Sequence, residues 1–235
     1  MFQGSNLLSA LREEDRALLE PHLRELRFAT GQTLYDPGQM VDSCYFPAGV
    51  AIGSYYVELD SGVSVETVLV GREGALGGII SQGNVPSYAR CSVVHGGTFY
   101  CIANPELERA KEHSASIRHL FARYADCLMA QVFQSIACNA IHTIEQRAAK
   151  WLTAAVDRTG QTDITMTQEQ LASMMGIGRS YASRVVQRFK RDNLVRTRRG
   201  GITVLDSAGL LRRACSCNEM VRAHFDTVLK GVYPD

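Results

Sequence analysis

The chain has 235 residues, with 25 Lys and Arg against 24 Asp and Glu, and 46% of its residues are hydrophobic. This composition is that of a folded globular protein and excludes a disordered or fibrous chain. No apolar run approaches the ~20 residues that cross a bilayer, and residues 1–6 lack a basic region followed by an apolar stretch. We therefore expect a cytoplasmic protein without a membrane partner.

The formal charge of +1 hides an uneven distribution. Residues 1–140 carry 10 basic and 15 acidic side chains, a net of −5, whereas residues 141–235 carry 15 basic and 9 acidic side chains, a net of +6. Eight cationic residues lie between Arg179 and Arg199, where Asp192 is the only acid. This density is able to neutralise phosphates and makes the C-terminal part a candidate nucleic-acid binder, with a solvated charged surface as the alternative.

The N-terminal part predicts a short helical entry followed by β-structure. Residues 7–20 have helical spacing and end at Pro21. Between residues 23 and 102, short apolar stretches alternate with turn signals of Gly, Pro and Asp. About seven or eight strands at this spacing predict an antiparallel barrel or sandwich, to which we assign residues 1–104.

A long helix is predicted next, because neither Gly nor Pro occurs between Pro105 and Gly160. Residues 105–140 carry a stripe of side chains spaced three and four apart, which we interpret as a homodimer interface; an ordinary core helix of a monomer is the alternative. The predicted interface residues are Ile117, Phe121, Tyr124, Leu128, Gln131 and Ser135. A second helix is expected from about residue 143 to 157, with Trp151 in the core.

The segment from Thr167 to Asn193 predicts two helices joined by a tight turn. Thr167 and Gln170 have the separation of a capping box, and Gly176 permits the positive φ of a turn. In the second helix, apolar residues recur at i, i+3, i+4 and i+7, which leaves a basic face exposed at its beginning. Residues 194–206 then predict a hairpin with a turn at Gly200-Gly201.

This arrangement is typical of a winged helix-turn-helix, in which the second helix enters the major groove of DNA and the first crosses the backbone. We assign residues 141–206 to this domain and residues 207–235 to a helical extension that packs on the winged domain or between subunits. The predicted DNA-contacting residues are Thr167, Gln168, Arg179, Ser180, Tyr181, Ser183, Arg184, Arg188, Arg198 and Arg199.

The order of barrel, long helix and winged domain over residues 7–205 resembles the Crp/Fnr superfamily of bacterial transcription regulators. The segments ATGQTLYDPGQMVDSCYFPAGVA, LVGREGALGG and GRSYASRVV are similar to the family's opening strands, ligand cassette and recognition helix. The resemblance implies an α+β fold with an N-terminal jelly-roll barrel like that of cyclic-nucleotide-binding domains, a homodimer, and binding to palindromic double-stranded DNA. RNA polymerase is a candidate partner.

Two departures from the family pattern concern specificity. Gly77-Gly78 stands where members that bind cyclic AMP carry Gly-Glu, and Arg90-Cys91 lies near the family's Arg-Ser/Thr site, with Arg90 displaced by one residue. Because a shift of one residue on a strand turns a side chain to the other face, we do not expect cyclic AMP as a cofactor. Gly77, Gly78, Arg90 and Cys91 remain candidates for the pocket of another effector. The second departure is Ser180, which replaces a groove-reading Glu, so the operator is expected to differ from the usual family site.

The seven cysteines are odd in number and lack a disulfide-framework spacing. The oxygen-sensing branch of the family holds an iron–sulfur cluster on cysteines near its N-terminus, and the first cysteine here is Cys44. Cys215 and Cys217, with His224 seven residues later, could hold a metal or oxidise. We interpret them as helix-face cysteines and predict no metal site.

No common catalytic motif such as GxSxG, HExxH or a P-loop occurs in the sequence, so an enzyme is not expected. The alternatives left open are a ligand-binding or redox-sensing module that acts through protein partners, and a Cys/His enzyme of unfamiliar type. Duplex binding that weakens steeply with salt distinguishes the DNA-binding regulator from both.

Overall fold

The computed structural model describes residues 2–79 and 85–230. The helical entry consists of α1 (Asn6–Ser9), α2 (Glu13–Leu19) and a 3-10 turn (Glu20–His22). Leu7, Leu8 and Leu19 are buried, and they anchor this entry on the domain that follows.

Two antiparallel sheets form the N-terminal domain. The strands are β1 (Arg24–Phe28), β2 (Thr33–Tyr35), β3 (Ser43–Ala48), β4 (Ile52–Glu58), β5 (Ser64–Val70), β6 (Arg90–His95) and β7 (Gly97–Ala103). One sheet has the order β1-β7-β3 and the other β2-β6-β4-β5. Within the described residues the sheets face each other as a jelly-roll sandwich and do not close into a barrel, so the sandwich alternative of the prediction is the correct one.

The space between the two sheets is filled by large side chains. Tyr35 and Phe99 are fully buried there, and Tyr45 and Tyr55 pack against the same core. Burial raises the pKa of Tyr45 to about 12, so its hydroxyl stays protonated at neutral pH.

The predicted long helical segment is divided into α3 (Asn104–His113) and α4 (Ala115–Ile141). The division falls at Ser114, whose hydroxyl accepts a hydrogen bond from the amide of Ile117 at 3.2 Å and so caps α4. α4 has 27 residues, and a helix of that length spans about 40 Å. Its first half packs on the outer surface of the β1-β7-β3 sheet.

The winged domain follows α4 directly. It contains α5 (Ile144–Thr159), β8 (Asp163–Ile164), α6 (Gln168–Met175), α7 (Arg179–Arg191), β9 (Val195–Arg198) and β10 (Gly201–Val204). α5 begins at a capping box of Thr143 with Gln146 and ends at Gly160, which has φ 65°. Trp151 is buried in the core that α5 forms with α6 and α7, as predicted.

The C-terminal extension forms α8 (Ser207–Arg213) and α9 (Cys217–Val228). α8 packs on α5, whereas α9 runs back along α4. Phe225 of α9 meets Tyr124 of α4 edge to face, with ring centroids 6.4 Å apart, and Leu229 is fully buried in the same core. Of the described residues, α8 therefore packs on the winged domain, as predicted, whereas α9 packs on the long helix of its own chain, which the sequence does not predict.

Candidate nucleic-acid interface

The turn between α6 and α7 has the geometry that the sequence predicts. The Gln170 amide donates to the Thr167 hydroxyl at 3.1 Å, and the Thr167 amide donates to the Gln170 side chain at 2.8 Å. Gly176 ends α6 with φ 65°, and the Ile177 amide donates back to the Ala172 carbonyl at 3.0 Å. These bonds fix the angle between the two helices.

One side of α7 is apolar and buried, and the other side is polar and exposed. Its apolar residues at the predicted positions are buried in the winged domain: Ala182, Val185, Val186 and Phe189. The opposite face is exposed at Arg179, Ser180, Tyr181 and Arg184, while Ser183 is half-buried. The N-cap residue Gly178 offers no side chain, so no side-chain group caps the first amides of α7. A helix start of this kind attracts anions such as phosphate.

Arg184 stands beside an aromatic ring. Its guanidinium carbon lies 5.1 Å from the ring centroid of Tyr181, three residues earlier on the helix. This cation–π contact limits the conformations of the arginine while its donors stay accessible. The pair forms a stiff basic projection near the start of α7.

The hairpin of β9 and β10, which we call the wing, carries arginines at its tip. β9 pairs with β10 in the register Arg198 to Gly201, and Gly200 takes φ 72° in the turn. Arg198 and Arg199 are both exposed, and Arg198 lies 3.5 Å from a carboxylate oxygen of Asp163. At the start of α6, Thr167 is exposed and Gln168 half-buried. All ten predicted contact residues are thus exposed or half-buried.

Arg188 has a different environment from the one predicted. Its guanidinium pairs with Glu145 of α5, and Glu145 also binds Arg213 of α8 at 3.0 Å. Arg213 in turn reaches Asp192 at 2.7 Å. This chain of ion pairs ties α7 to α5 and α8, so Arg188 helps to hold the domain together, and its contact with DNA stays a prediction.

The predicted dimer stripe is wrong, because it faces the chain's own core. Ile117, Phe121 and Tyr124 are at most 2% exposed and pack on the sandwich. The other three members also face inward: Leu128 packs against the sandwich, the Gln131 amide donates to the Leu69 carbonyl at 2.8 Å, and Ser135 lines a cleft beside Trp151.

A second stripe lies on the opposite side of α4. It consists of Ala122, Asp126, Met129, Phe133, Ile136 and Ala140, which are all exposed, and we call it the outer stripe. Phe133 is 61% and Ile136 64% exposed. The residues of the outer stripe are spaced alternately four and three apart, as in a coiled-coil seam. Both sides of α4 are apolar, so periodicity alone does not reveal which side packs on the sandwich.

The four predicted effector residues lie in different surroundings. Arg90 lies on the outside of the sandwich, with its Nε 2.9 Å from a carboxylate oxygen of Asp36, whereas its neighbour Cys91 is fully buried inside. A Cβ at Gly77 would meet the Tyr35 hydroxyl, and one at Gly78 would meet Asn104. Adjacent strand residues face opposite ways, so Arg90 and Cys91 point to different sides of the sandwich, and an effector pocket built from the four residues stays a prediction.

The winged domain and the sandwich contact each other through α5, α6 and β5. The Ser173 hydroxyl donates to the Ser64 carbonyl at 3.1 Å, and the Trp151 indole N–H lies 3.2 Å from both carboxylate oxygens of Glu66. Burial raises the pKa of Glu66 to about 7, although Trp151 and nearby cations act in the opposite direction. Sequence reasoning misses Glu66, because a single acid in a strand gives no signal of its partner.

Glu66 predicts a pH-dependent stability. The folded chain holds a proton on this carboxyl up to about pH 7, whereas the unfolded chain loses it near its ordinary pKa of 4.5. The Glu66 contribution to the free energy of unfolding is thus complete below pH 4.5 and is lost as the pH rises to about 7. We expect Glu66→Gln to remove this loss, so that the free energy of unfolding of the variant, measured in urea, falls less than that of the wild type as the pH rises. Asp60→Asn, at an exposed loop, is the control; an unchanged profile in Glu66→Gln would contradict the assignment.

Comparison with known proteins agrees with this architecture. A model described as a Crp-like helix-turn-helix domain matches residues 146–213. The transcriptional regulatory protein btr of Bordetella pertussis is 25% identical over 197 residues, which cover 79% of this chain and 78% of that protein.

Two solved structures have a similar fold over most of the chain. A transcriptional regulator of the Crp/Fnr family from Eubacterium rectale superposes with a TM-score of 0.63 at 19% identity and covers 88% of this chain and 97% of its own. FixK2 from Bradyrhizobium japonicum superposes with a TM-score of 0.68 at 12% identity and covers 82% of this chain and 98% of its own. In residues 2–79 and 85–230, no helix combines the length and apolar character that crossing a bilayer requires.

Proposed function

We propose that this chain is a DNA-binding transcription regulator of the Crp/Fnr superfamily and that it binds a palindromic operator as a homodimer; the match to a Crp-like helix-turn-helix model and the similarity to btr support the proposal. The observation that carries the proposal is the exposed start of α7, where Arg179, Ser180 and Arg184 surround an N-terminus without a side-chain cap. The wing arginines lie in the same domain.

In the proposed complex, α7 lies in the major groove. Arg179 and Arg184 are the side chains suited to guanine, because an arginine fork binds its two acceptors together. Ser180 tolerates several bases, so it does not impose the cytosine preference of a carboxylate. Thr167, Gln168 and Arg199 are placed for the phosphates on either side, which position the domain without reading sequence.

The proposed dimer forms through the outer stripe of α4. Two such helices would pair along Met129, Phe133 and Ile136 and remove these exposed side chains from water. Two-fold symmetry then presents two copies of α7 to successive major grooves, about 34 Å apart on one side of the duplex. In the proposed mechanism either dimer formation alone or an effector in the N-terminal domain sets this spacing, and RNA polymerase is a candidate partner of the bound dimer.

The test is selection of duplexes from a random pool by the full-length protein. We expect recovered sequences with two-fold symmetry and half-site centres about one helical turn apart, and an affinity that falls steeply with salt concentration. Failure to bind any duplex at low salt would contradict the proposal.

Arg199→Ala separates phosphate contacts from base contacts. We expect the variant to lose affinity equally for the selected operator and for random duplex, and to lower the slope of log K against log salt by about 1. Fluorescence anisotropy at several salt concentrations measures both quantities. A changed base preference in the variant would instead place Arg199 on a base edge.

A further inference from the structure

Three cysteines and a histidine converge at the end of the long helix. Cys138 belongs to the last turn of α4 and His142 caps this helix, while Cys215 lies between α8 and α9 and Cys217 is the first residue of α9. The three thiols are buried and His142 is half-buried. Their sulfur and nitrogen atoms all lie within 4.8 Å of one another.

The distances within this cluster fit a tetrahedral metal site. The Sγ atoms of Cys138 and Cys215 are 3.6 Å apart, and Cys217 Sγ is 3.4 Å from His142 Nδ1. A tetrahedron with zinc bonds of ~2.3 Å to sulfur and ~2.0 Å to nitrogen has S–S edges of about 3.8 Å and S–N edges of about 3.5 Å. We propose that Cys138, His142, Cys215 and Cys217 bind one Zn²⁺ ion in a structural site.

The donor set selects the metal. Thiolates and imidazole favour zinc over calcium or magnesium, which prefer oxygen, and three cysteines with one histidine form a recognised structural zinc set. Four protein ligands leave no open position, so the site is structural and not catalytic. An iron–sulfur cluster needs ligands that reach separate iron atoms, and these four donors are gathered around one point.

The surroundings support a metal that carries three thiolates. Three thiolates and Zn²⁺ have a net charge of −1, which nearby cations offset. Lys150 Nζ lies 3.5 Å from Cys138 Sγ. Burial lowers the pKa of Arg147, and negative charge on Cys138 and Cys215 acts in the opposite direction. The Gln134 amide donates to Cys217 Sγ at 3.1 Å, a bond that orients this ligand.

The site would join three parts of the chain. It links the end of α4, the junction with α5 and the point where α9 turns back along α4. Zinc displaces the thiol protons into solvent and binds only the folded arrangement, so it stabilises this junction. The sequence alone predicts no metal here, because Cys138 and His142 lie more than 70 residues before Cys215.

Titration of the reduced, metal-free, full-length protein with Co²⁺ tests the proposal. We expect one Co²⁺ per chain, with the intense visible bands of tetrahedral coordination and a thiolate charge-transfer band, both removed by equimolar Zn²⁺. Cys217→Ser is expected to weaken binding at least about 100-fold and Gln134→Ala about 10- to 100-fold. Cys101→Ser and His224→Asn are the controls: Cys101 is buried in β7, and His224 is exposed on α9 outside the cluster, so both variants keep the wild-type spectrum.

Three results would overturn the proposal, and the first two need no variant. One is a wild-type protein that binds no stoichiometric Co²⁺ or gives only the weak spectrum of octahedral coordination. The second is iron with inorganic sulfide in protein purified without oxygen. The third is retention of the full cobalt spectrum by folded Cys217→Ser. DNA binding is measured separately, so loss of the proposed function leaves the metal test intact.

Discussion

Phe133→Glu is expected to convert the protein into a monomer. Phe133 is the centre of the outer stripe, is 61% exposed in the single chain and belongs to none of its hydrophobic core clusters, so we expect the folded chain to tolerate the substitution. In a dimer, two glutamates would meet at the seam and lose water without gaining a partner. Sedimentation velocity is the measurement, and we expect one species of about 26 kDa where the wild type gives twice that mass.

Controls separate the interface from general surface effects. Phe133→Leu keeps an apolar side chain at the seam and should remain dimeric. Tyr88→Glu introduces the same charge at an aromatic residue that is 86% exposed outside α4, and it should also remain dimeric. A dimeric Phe133→Glu would reject the outer stripe. The monomer is further expected to bind a half-site with the same base preference but to lose the high affinity for the full palindrome.

Arg184→Ala is expected to cost about 1 to 3 kcal/mol of binding to the selected operator and to relax base choice at one position of each half-site. The arginine lies on the exposed face of α7 and is steadied by the ring of Tyr181 at 5.1 Å. Removal of its donors leaves a guanine edge without a partner, whereas random duplex offers no such contact to lose. Anisotropy titrations on operator, single-base variants and random duplex measure the difference.

Arg184→Lys and Arg191→Ala sharpen this experiment. Lysine keeps the charge but not the planar fork, so Arg184→Lys should recover nonspecific affinity and only part of the specificity. Arg191 is exposed at the far end of α7, and its removal should leave base preference unchanged. An equal loss by Arg184→Ala on operator and random DNA would make Arg184 a phosphate contact.

The helix-turn-helix is the part of the molecule that sequence predicts best. The capping box at Thr167, the glycine with positive φ at 176 and the apolar series in α7 are local signals, and each acts within a few residues of its cause. The exposed position of Arg184 follows directly from this local geometry.

The dimer face and the effector residues depend on tertiary packing, which local patterns do not reveal. Both sides of α4 satisfy the same spacing, and only the sandwich decides that Phe121 points inward and Phe133 outward. The expectation that the one-residue shift turns Arg90 to the other face of its strand is correct, because this side chain lies on the outside of the sandwich. The tyrosines that fill this interior come from several strands, so their contacts join residues that are distant in the sequence and local patterns do not reveal them.

The return of α9 along α4 makes the winged domain an insertion in the topological sense. The chain leaves the long helix at His142 and returns to it at Cys217. His142 Nδ1 and Cys217 Sγ are 3.4 Å apart. Residues 143–216 therefore form a loop with adjacent ends, and the hydrophobic core around Tyr124 is completed by segments on both sides of it. Exchange of this module would leave the core around Tyr124 in place but would remove Cys215 and the contacts of Trp151 and Ser173 with the sandwich, so a substitute module has to restore them.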